Sequence, residues 1–178
     1  MIHSVFAPSA RSASETERPT QEIVYLVSGN LGEIMAISAA ALVAAPIPML
    51  PLQILYINFV SDVLPALALG LSRSEAGVMQ QRPRDAQEPI LLRRHWAAIF
   101  GYGGLIAASA LAAFALALLW LDMDTESAVT VSFLTFGFAR LWHVFNMRSS
   151  RSPVFVNEVS RNGYVWIALL VGVGLLLA

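Results

Sequence analysis

The sequence contains no cysteine and no lysine among its 178 residues. Without cysteine the chain has no disulfide, no zinc–thiolate site, no iron–sulfur cluster and no cysteine nucleophile. Without lysine it cannot form the phosphate-binding loop in which a lysine follows a glycine-rich run. The glycines within 101–104 lie inside an apolar segment, so we interpret them as packing positions.

Charge is also scarce. Charged residues make up 13% of the chain, against about 25% in a typical soluble domain. The hydrophobic fraction is 57% and the mean hydropathy is +0.65. The charges lie mostly in linkers between apolar runs, which is typical of a polytopic membrane protein. The apolar runs lead us to expect the lipid bilayer as a partner. The net charge of −1 indicates no basic surface for nucleic acid, so we expect no nucleic-acid partner.

The apolar runs predict an all-α fold, a polytopic transmembrane helix bundle with about five membrane-spanning segments. We predict a polar, disordered cytoplasmic tail at 1–20 and a membrane domain at 21–178. Spans are expected at about 22–45, 51–71, 96–121, 127–147 and 163–178. In the third span, Gly104, Ala108 and Ala112 recur every four residues, and such a stripe of small residues allows close approach of another helix.

The distribution of arginine predicts the orientation in the membrane. The linkers at 72–95 and 148–162 are rich in arginine, whereas the loops at the opposite ends of the spans have none. Because basic residues mark the cytoplasmic side, the N-terminus is expected in the cytoplasm. We therefore expect a multi-pass integral protein, located in the cell (plasma) membrane.

The second span carries polar residues that do not suit lipid. Asn58, Ser61 and Asp62 are three and four residues apart, so they share one helix face. Pro65 lacks an N–H, which leaves the carbonyl of Ser61 without its helical partner. An ionised aspartate at the centre of a span costs roughly 2.5–3.5 kcal/mol on insertion scales. These groups are hard oxygen donors, which suit small metal cations.

The first span has a matching pair. Asn30 and Glu33 are three residues apart, and the short connection at 46–51 brings the first two spans together antiparallel. Glu33 and Asp62 are then both roughly 17–20 Å deep from the shared turn. Two close carboxylates at low dielectric cannot both stay charged without a cation, which suggests cation/proton exchange. A purely structural hydrogen-bonded pair is the alternative.

Several ordered motifs resemble those of cation-pumping P-type ATPases. The run YLVSGNLGE at 25–33 resembles the start of their fifth membrane helix, and LQILYINFVSDVLPA at 52–66 resembles their sixth. The linker adds Met79, RPR at 82–84 and EPI at 88–90, and FN at 145–146 with Arg148 resembles the end of the eighth. The resemblance runs from residue 22 onward. It is closest to the calcium-pump-like branch, because Asn-x-x-Glu and Asn-x-x-(Ser/Thr)-Asp occur together.

The resemblance implies an intramembrane cation site for calcium, magnesium or a similar ion. Its implied ligands are Asn30, Glu33, Asn58, Ser61 and Asp62, with Glu33, Asp62 and Asn58 in direct contact with the metal.

The sequence also departs from the family pattern. Val63 replaces a glycine that usually follows the aspartate, and the run QRPR at 81–84 replaces Arg-Pro-Pro-Arg. Arg140 stands near the place where two-site calcium pumps have a further carboxylate. Arg140 either forms an internal counter-charge for Glu33 or Asp62, which would lower the number of bound ions, or extends its guanidinium to the membrane surface.

The Asp-Lys-Thr-Gly phosphorylation motif of these pumps is absent, as are their nucleotide-binding and actuator domains and their first four helices. The resemblance therefore implies the membrane ion-binding portion of a truncated pump. ATP and Mg would enter only through the missing domains, so we expect no ATP hydrolysis by this chain alone. The alternatives are a stand-alone non-enzymatic channel, a subunit of a separately encoded pump half, or a non-functional gene fragment.

Overall fold

The computed structural model describes residues 13–63, 91–146 and 159–178, with side chains from residue 20 onward. All regular structure in these ranges is helical, which confirms the predicted all-α membrane bundle. The five helices are α1 (Ala13–Leu42), α2 (Pro51–Asn58), α3 (Arg93–Leu119), α4 (Thr125–His143) and α5 (Gly163–Leu177). A π-helical turn, Phe59–Val63, continues α2, and a 3-10 turn, Val144–Asn146, continues α4.

Within the described ranges, three stretches are long and apolar enough to cross a bilayer by length and composition: Thr20–Leu42, Arg93–Leu119 and Thr125–Asn146. Helix α5 is apolar but shorter. The helical backbone of α1 already begins at Ala13, inside the segment predicted as a tail, and residues 1–12 lie outside the described residues. The end of the predicted second span also lies outside them, as do Pro65 and the linker motifs around Met79 and Arg148.

Helices α1 and α3 pack together most extensively, at a crossing where two glycines meet. A Cβ on Gly103 would lie 2.8 Å from the carbonyl oxygen of Ser28, and one on Gly32 would lie 3.1 Å from the carbonyl oxygen of Gly103. The two backbones are therefore in direct contact. This close approach fixes the position of the α1 segment that carries Asn30 and Glu33.

The close contact of α3 with α1 uses a face shifted by one residue from the stripe of Gly104, Ala108 and Ala112. Ala108 and Ala112 are exposed, whereas the buried face of α3 includes Gly103, Ala107 and Ala110. The helix is so rich in small residues that four-residue spacings occur on several faces, so spacing alone does not select the face that packs.

Helix α5 closes the bundle against α4 and α2. The Leu176 side chain fills the space over Gly137, where a Cβ would come within 2.8 Å of it, and Leu141 lies over Gly172 in the same way. The Tyr56 hydroxyl donates a hydrogen bond of 2.5 Å to the Leu175 carbonyl oxygen. Since α4 also packs extensively against α3, it lies between α3 and α5.

The start of α4 is fixed by a side-chain cap. The Asp124 carboxylate accepts hydrogen bonds from the Ser127 backbone N–H (3.0 Å) and hydroxyl (2.7 Å). An aspartate in this position satisfies a free N–H of the first helical turn. The same hydrogen bonds lower the pKa of Asp124 below its ordinary value of 3.8.

Candidate functional site

A cluster of polar side chains lies where α1, the π-helical turn and α4 meet. Helix α1 contributes Asn30 and Glu33, the end of α2 contributes Asn58, and the π-helical turn contributes Asp62. Arg140 enters from α4, and its side chain is only 1% exposed. The Glu33 and Asp62 side chains are 8% and 18% exposed. The period of the helices thus brings both predicted pairs to one place.

The guanidinium of Arg140 lies at the centre of this cluster. Its Nη1 donates to Glu33 Oε1 at 2.5 Å and to Asn58 Oδ1 at 2.6 Å. Its Nη2 donates to Asn30 Oδ1 at 3.2 Å and forms an ion pair with Asp62. The Asn58 amide also donates to Glu33 Oε2 at 3.2 Å. One planar cation therefore binds both carboxylates and both amides that the sequence predicted to surround a metal ion.

The charges of the cluster follow from these contacts. An arginine side chain stays protonated in proteins, so Arg140 is a permanent positive charge. With Glu33 and Asp62 ionised, the cluster carries a net charge of −1. Of the two positions considered for Arg140, the structure has the buried one, in which the guanidinium contacts the carboxylates. The Phe136 ring, one helical turn earlier, lies 5.9 Å from the guanidinium carbon and adds a cation–π contact.

Ser61 makes its contacts with protein backbone and with Tyr25. Its hydroxyl donates to the Ile57 carbonyl oxygen at 2.6 Å, and its own carbonyl oxygen accepts from the Tyr25 hydroxyl at 2.6 Å. The carbonyl that was predicted to lack a partner therefore has one on α1. The Tyr25 hydroxyl also lies 3.3 Å from the Arg140 carbonyl oxygen, so it joins all three elements that build the cluster.

A second buried network lies beside the first and was not predicted from the sequence. His143 Nε2 lies 2.8 Å from the Ser28 hydroxyl oxygen, which in turn donates to the Tyr25 carbonyl oxygen at 3.0 Å. With the one Ser28 hydrogen donated to that carbonyl, the tautomer that completes the network has its proton on Nε2. In this tautomer Nδ1 accepts from the Asn146 amide at 3.2 Å. The ring packs between Tyr25 and Tyr102, so His143 joins α1, α3 and α4.

Tyr25 and Ser28 were within the YLVSGNLGE run that carried the resemblance, yet only Asn30 and Glu33 were assigned roles. The available signal was polarity at three-residue spacing, since Tyr25 and Ser28 are three residues apart and share a face of α1, as Asn30 and Glu33 do. That signal does not identify which groups a hydroxyl contacts.

Tyr25→Phe is expected to lower the free energy of unfolding by about 1–3 kcal/mol, because it leaves the buried Ser61 carbonyl oxygen without the Tyr25 donor. The ring and its packing on His143 stay in place. Unfolding by SDS in mixed micelles measures the change. Tyr164→Phe is the control, since Tyr164 is 58% exposed, and it should change stability by less than about 0.5 kcal/mol. Equal stabilities of the two variants would show that the Tyr25 hydroxyl does not hold the elements together.

The chemistry of the cluster is that of hard oxygen donors around a positive charge. Among the described residues, no group of three or more histidine, cysteine, aspartate or glutamate side chains is placed to hold a metal ion. The cluster instead combines two carboxylates with two amides and a fixed cation. It is a buried charge site within an integral membrane helix bundle.

Comparison with known proteins identifies the family. The family model described as cation transporting ATPase, C-terminus, matches residues 46–178, and the chain belongs to this family. A calcium-transporting ATPase of Bacillus subtilis is 37% identical over 155 residues, covering 87% of this chain and 17% of that protein. Calcium-transporting ATPase 1 of Bacillus cereus is 32% identical over 168 residues, which cover 86% of this chain and 19% of that protein. A calcium-transporting ATPase of Listeria monocytogenes is 35% identical over 150 residues, which cover 84% of this chain and 17% of that protein.

The chain thus spans less than a fifth of the length of these relatives. The 155 matched residues are more than 46–178 contains, so the similarity to the Bacillus subtilis protein extends beyond the family model into the region that precedes residue 46. These findings confirm the predicted resemblance to the C-terminal membrane region of calcium-pump-like P-type ATPases.

Proposed function

We propose that this chain forms the ion-binding membrane part of a calcium-transporting ATPase. In this proposal Asn30, Glu33, Asn58, Ser61 and Asp62 belong to the site through which the cation passes. The observation that supports it most is the Arg140 guanidinium, which sits among four of these five side chains at hydrogen-bonding distance. A cluster that binds a guanidinium so completely is built to stabilise positive charge.

Arg140 acts in this proposal as a resident counter-charge that reduces the number of transported ions. Two ionised carboxylates alone would carry a charge of −2, whereas the cluster with Arg140 carries −1. A single proton neutralises the remaining charge, and a single divalent cation reverses it. A second divalent cation would meet a net positive site. The charges therefore favour one divalent cation exchanged for protons.

The site supplies only the cargo-binding step of such a pump. Oxygen ligands at 2.3–2.6 Å are what calcium requires, and carboxylate and amide oxygens are suitable ligands. Phosphoryl transfer from ATP would come from domains outside this chain. The names of the relatives favour calcium as the cation, and the arginine-rich linkers favour a cytoplasmic N-terminus.

Calcium binding by the full chain in lipid nanodiscs tests this function. Asp62→Asn removes one charged ligand and should weaken calcium binding about tenfold or more, since a hydrogen bond or ion contact to a charged group contributes about 1.5–3 kcal/mol. Isothermal titration at neutral pH gives both affinity and stoichiometry, and one calcium per chain is expected.

The matched control is Asp122→Asn. Asp122 is exposed in the loop before α4, and its positive φ of 49° is a conformation that asparagine also adopts. This variant should bind calcium as the unmodified chain does. Two bound ions per chain, or equal affinities for Asp62→Asn and Asp122→Asn, would contradict the proposal.

A further inference from the structure

We infer that Gly29 is a positioning residue that seats the Arg140 guanidinium in the site. Gly29 lies on α1 immediately before Asn30, and it makes no side-chain contact with a ligand of its own. Its role is to leave open the volume that the guanidinium occupies. The inference stands on the packing of two residues, and only its consequence for calcium rests on the function proposed above.

The available space at Gly29 is defined by the guanidinium itself. A Cβ built on Gly29 would lie 2.5 Å from both Nε and Nη2 of Arg140 and 2.6 Å from Cζ. Real Cβ atoms essentially never approach a neighbour closer than 3.0 Å. The planar group thus lies flat against the α1 backbone, and a single methyl group at this position would displace it.

The guanidinium cannot move aside without losing partners. Its two terminal nitrogens are bound to four side chains, and the Phe136 ring lies 5.9 Å from its central carbon. Its donors are arranged in a rigid fork, so a shift that breaks one contact misaligns the others. The Arg140 carbonyl oxygen also lies 3.3 Å from the Tyr25 hydroxyl oxygen, so the Arg140 backbone packs closely against α1. Relief of a clash at Gly29 must therefore break bonds to the carboxylates or amides.

This packing makes the residues at 29 and 140 a complementary pair. A fixed positive charge from α4 can enter the cluster because α1 presents bare backbone to it. With a side chain at 29, the guanidinium would leave the carboxylates less neutralised, and a divalent cation would meet a more negative site. Gly29 therefore allows the Arg140 guanidinium, rather than a bound cation, to supply the positive charge beside the carboxylates.

The test is a double-mutant cycle on the full chain, followed by SDS unfolding in mixed micelles. On helix propensity alone, Gly29→Ala would stabilise α1. Because of the clash, we expect instead that it lowers the folded-to-unfolded ratio about tenfold or more. Gly104→Ala is the control, since its Cβ would meet only Met35 Cε at an ordinary 3.6 Å. It should leave the ratio unchanged or raise it.

In an Arg140→Leu background, where the side chain ends before the clashing atoms, Gly29→Ala should lose most of its effect. Arg140→Ala, measured in parallel, gives a second background should the leucine variant not fold. An undiminished loss from Gly29→Ala in these backgrounds would overturn the inference, as would a Gly29→Ala variant as stable as Gly104→Ala.

Calcium titration separates this inference from the proposed function. Gly29→Ala should bind calcium more tightly than the unmodified chain, and Gly104→Ala should bind it equally, a difference that a purely structural role of Gly29 would not produce. If calcium binds to none of the variants, the proposed function fails, while the unfolding cycle still decides whether Gly29 seats the guanidinium. Coupling in the cycle with unchanged calcium affinity would overturn the role of Gly29 in the choice of cation.

Discussion

Arg140→Gln is expected to lower the free energy of unfolding by about 3–5 kcal/mol, which is typical for the loss of one partner from a buried ion pair. The substitution leaves Glu33 and Asp62 facing each other with no positive charge between them. It also removes the donors to the two amides, which glutamine is too short to replace in full. SDS unfolding in mixed micelles at neutral pH, without calcium, measures the loss.

Arg93→Gln is the matched control for this variant. Arg93 begins α3 and is exposed, so its loss should change stability by less than about 0.5 kcal/mol. Calcium should restore more of the lost stability in Arg140→Gln than it adds to the unmodified chain, because the ion replaces the missing charge. At a calcium concentration of about 100 times Kd, binding to the folded state alone contributes about 2.7 kcal/mol. Equal stabilities of the two glutamine variants would mean that the cluster does not stabilise the fold.

The reverse change should be equally costly. In Glu33→Gln/Asp62→Asn the guanidinium of Arg140 stays buried among amides with no carboxylate, and we expect a loss of about 3–5 kcal/mol. Each single variant should lose less than half of this, because Arg140 keeps one carboxylate partner in each. Such non-additivity is expected of residues that share one partner.

Adding Arg140→Gln to that double variant should recover most of the loss. The triple variant has no charge left to compensate, and its amides can hydrogen-bond with one another. Asp122→Asn/Glu126→Gln is the control for the two lost carboxylates, since both residues are exposed near the start of α4. Stability in the triple variant no higher than in the double variant would show that the cost lies in lost packing rather than in the unpaired guanidinium.

Much of the site was predictable because it depends on helix period and one short turn. The spacing of Asn30 with Glu33, and of Asn58 with Asp62, places each pair on one face, and the connection after α1 brings the two faces together. In the structure, the Asn58 amide nitrogen Nδ2 lies 3.2 Å from Glu33 Oε2 and donates a hydrogen bond to it. These relations depend only on residues that are close in the sequence, so they can be predicted without knowing where the other helices pack.

The position of the Arg140 guanidinium was not predictable in the same way. A long, flexible side chain on α4 reaches either the membrane surface or the cluster, and sequence spacing allows both. The choice depends on how α4 is rotated against α1 and on the bare backbone at Gly29. The rotation of α4 and the fit of the guanidinium against Gly29 both depend on contacts between residues more than 100 positions apart in the sequence. The Ser28–His143 hydrogen bond is one of these contacts.

The irregular end of α2 was also only partly predictable. Pro65 indicated that the helical hydrogen bonds near Ser61 are interrupted, and the described chain has a π-helical turn there. What the sequence did not indicate is that the Tyr25 hydroxyl supplies a donor to the Ser61 carbonyl. A side-chain hydrogen bond between two helices depends on the distance between them, and the periodicity of a sequence does not predict that distance.

The direct backbone contact between Gly32 and Gly103 limits how the two carboxylates can move relative to each other. Backbones in van der Waals contact cannot slide or rotate without separating first, so α1 and α3 should behave as one rigid body. Glu33 belongs to that body, whereas Asp62 lies on a turn whose hydrogen bonds depart from the regular α-helical pattern. Any opening and closing of the gap between the acids should therefore arise from displacement of Asp62 and its turn, with Glu33 as the stationary reference.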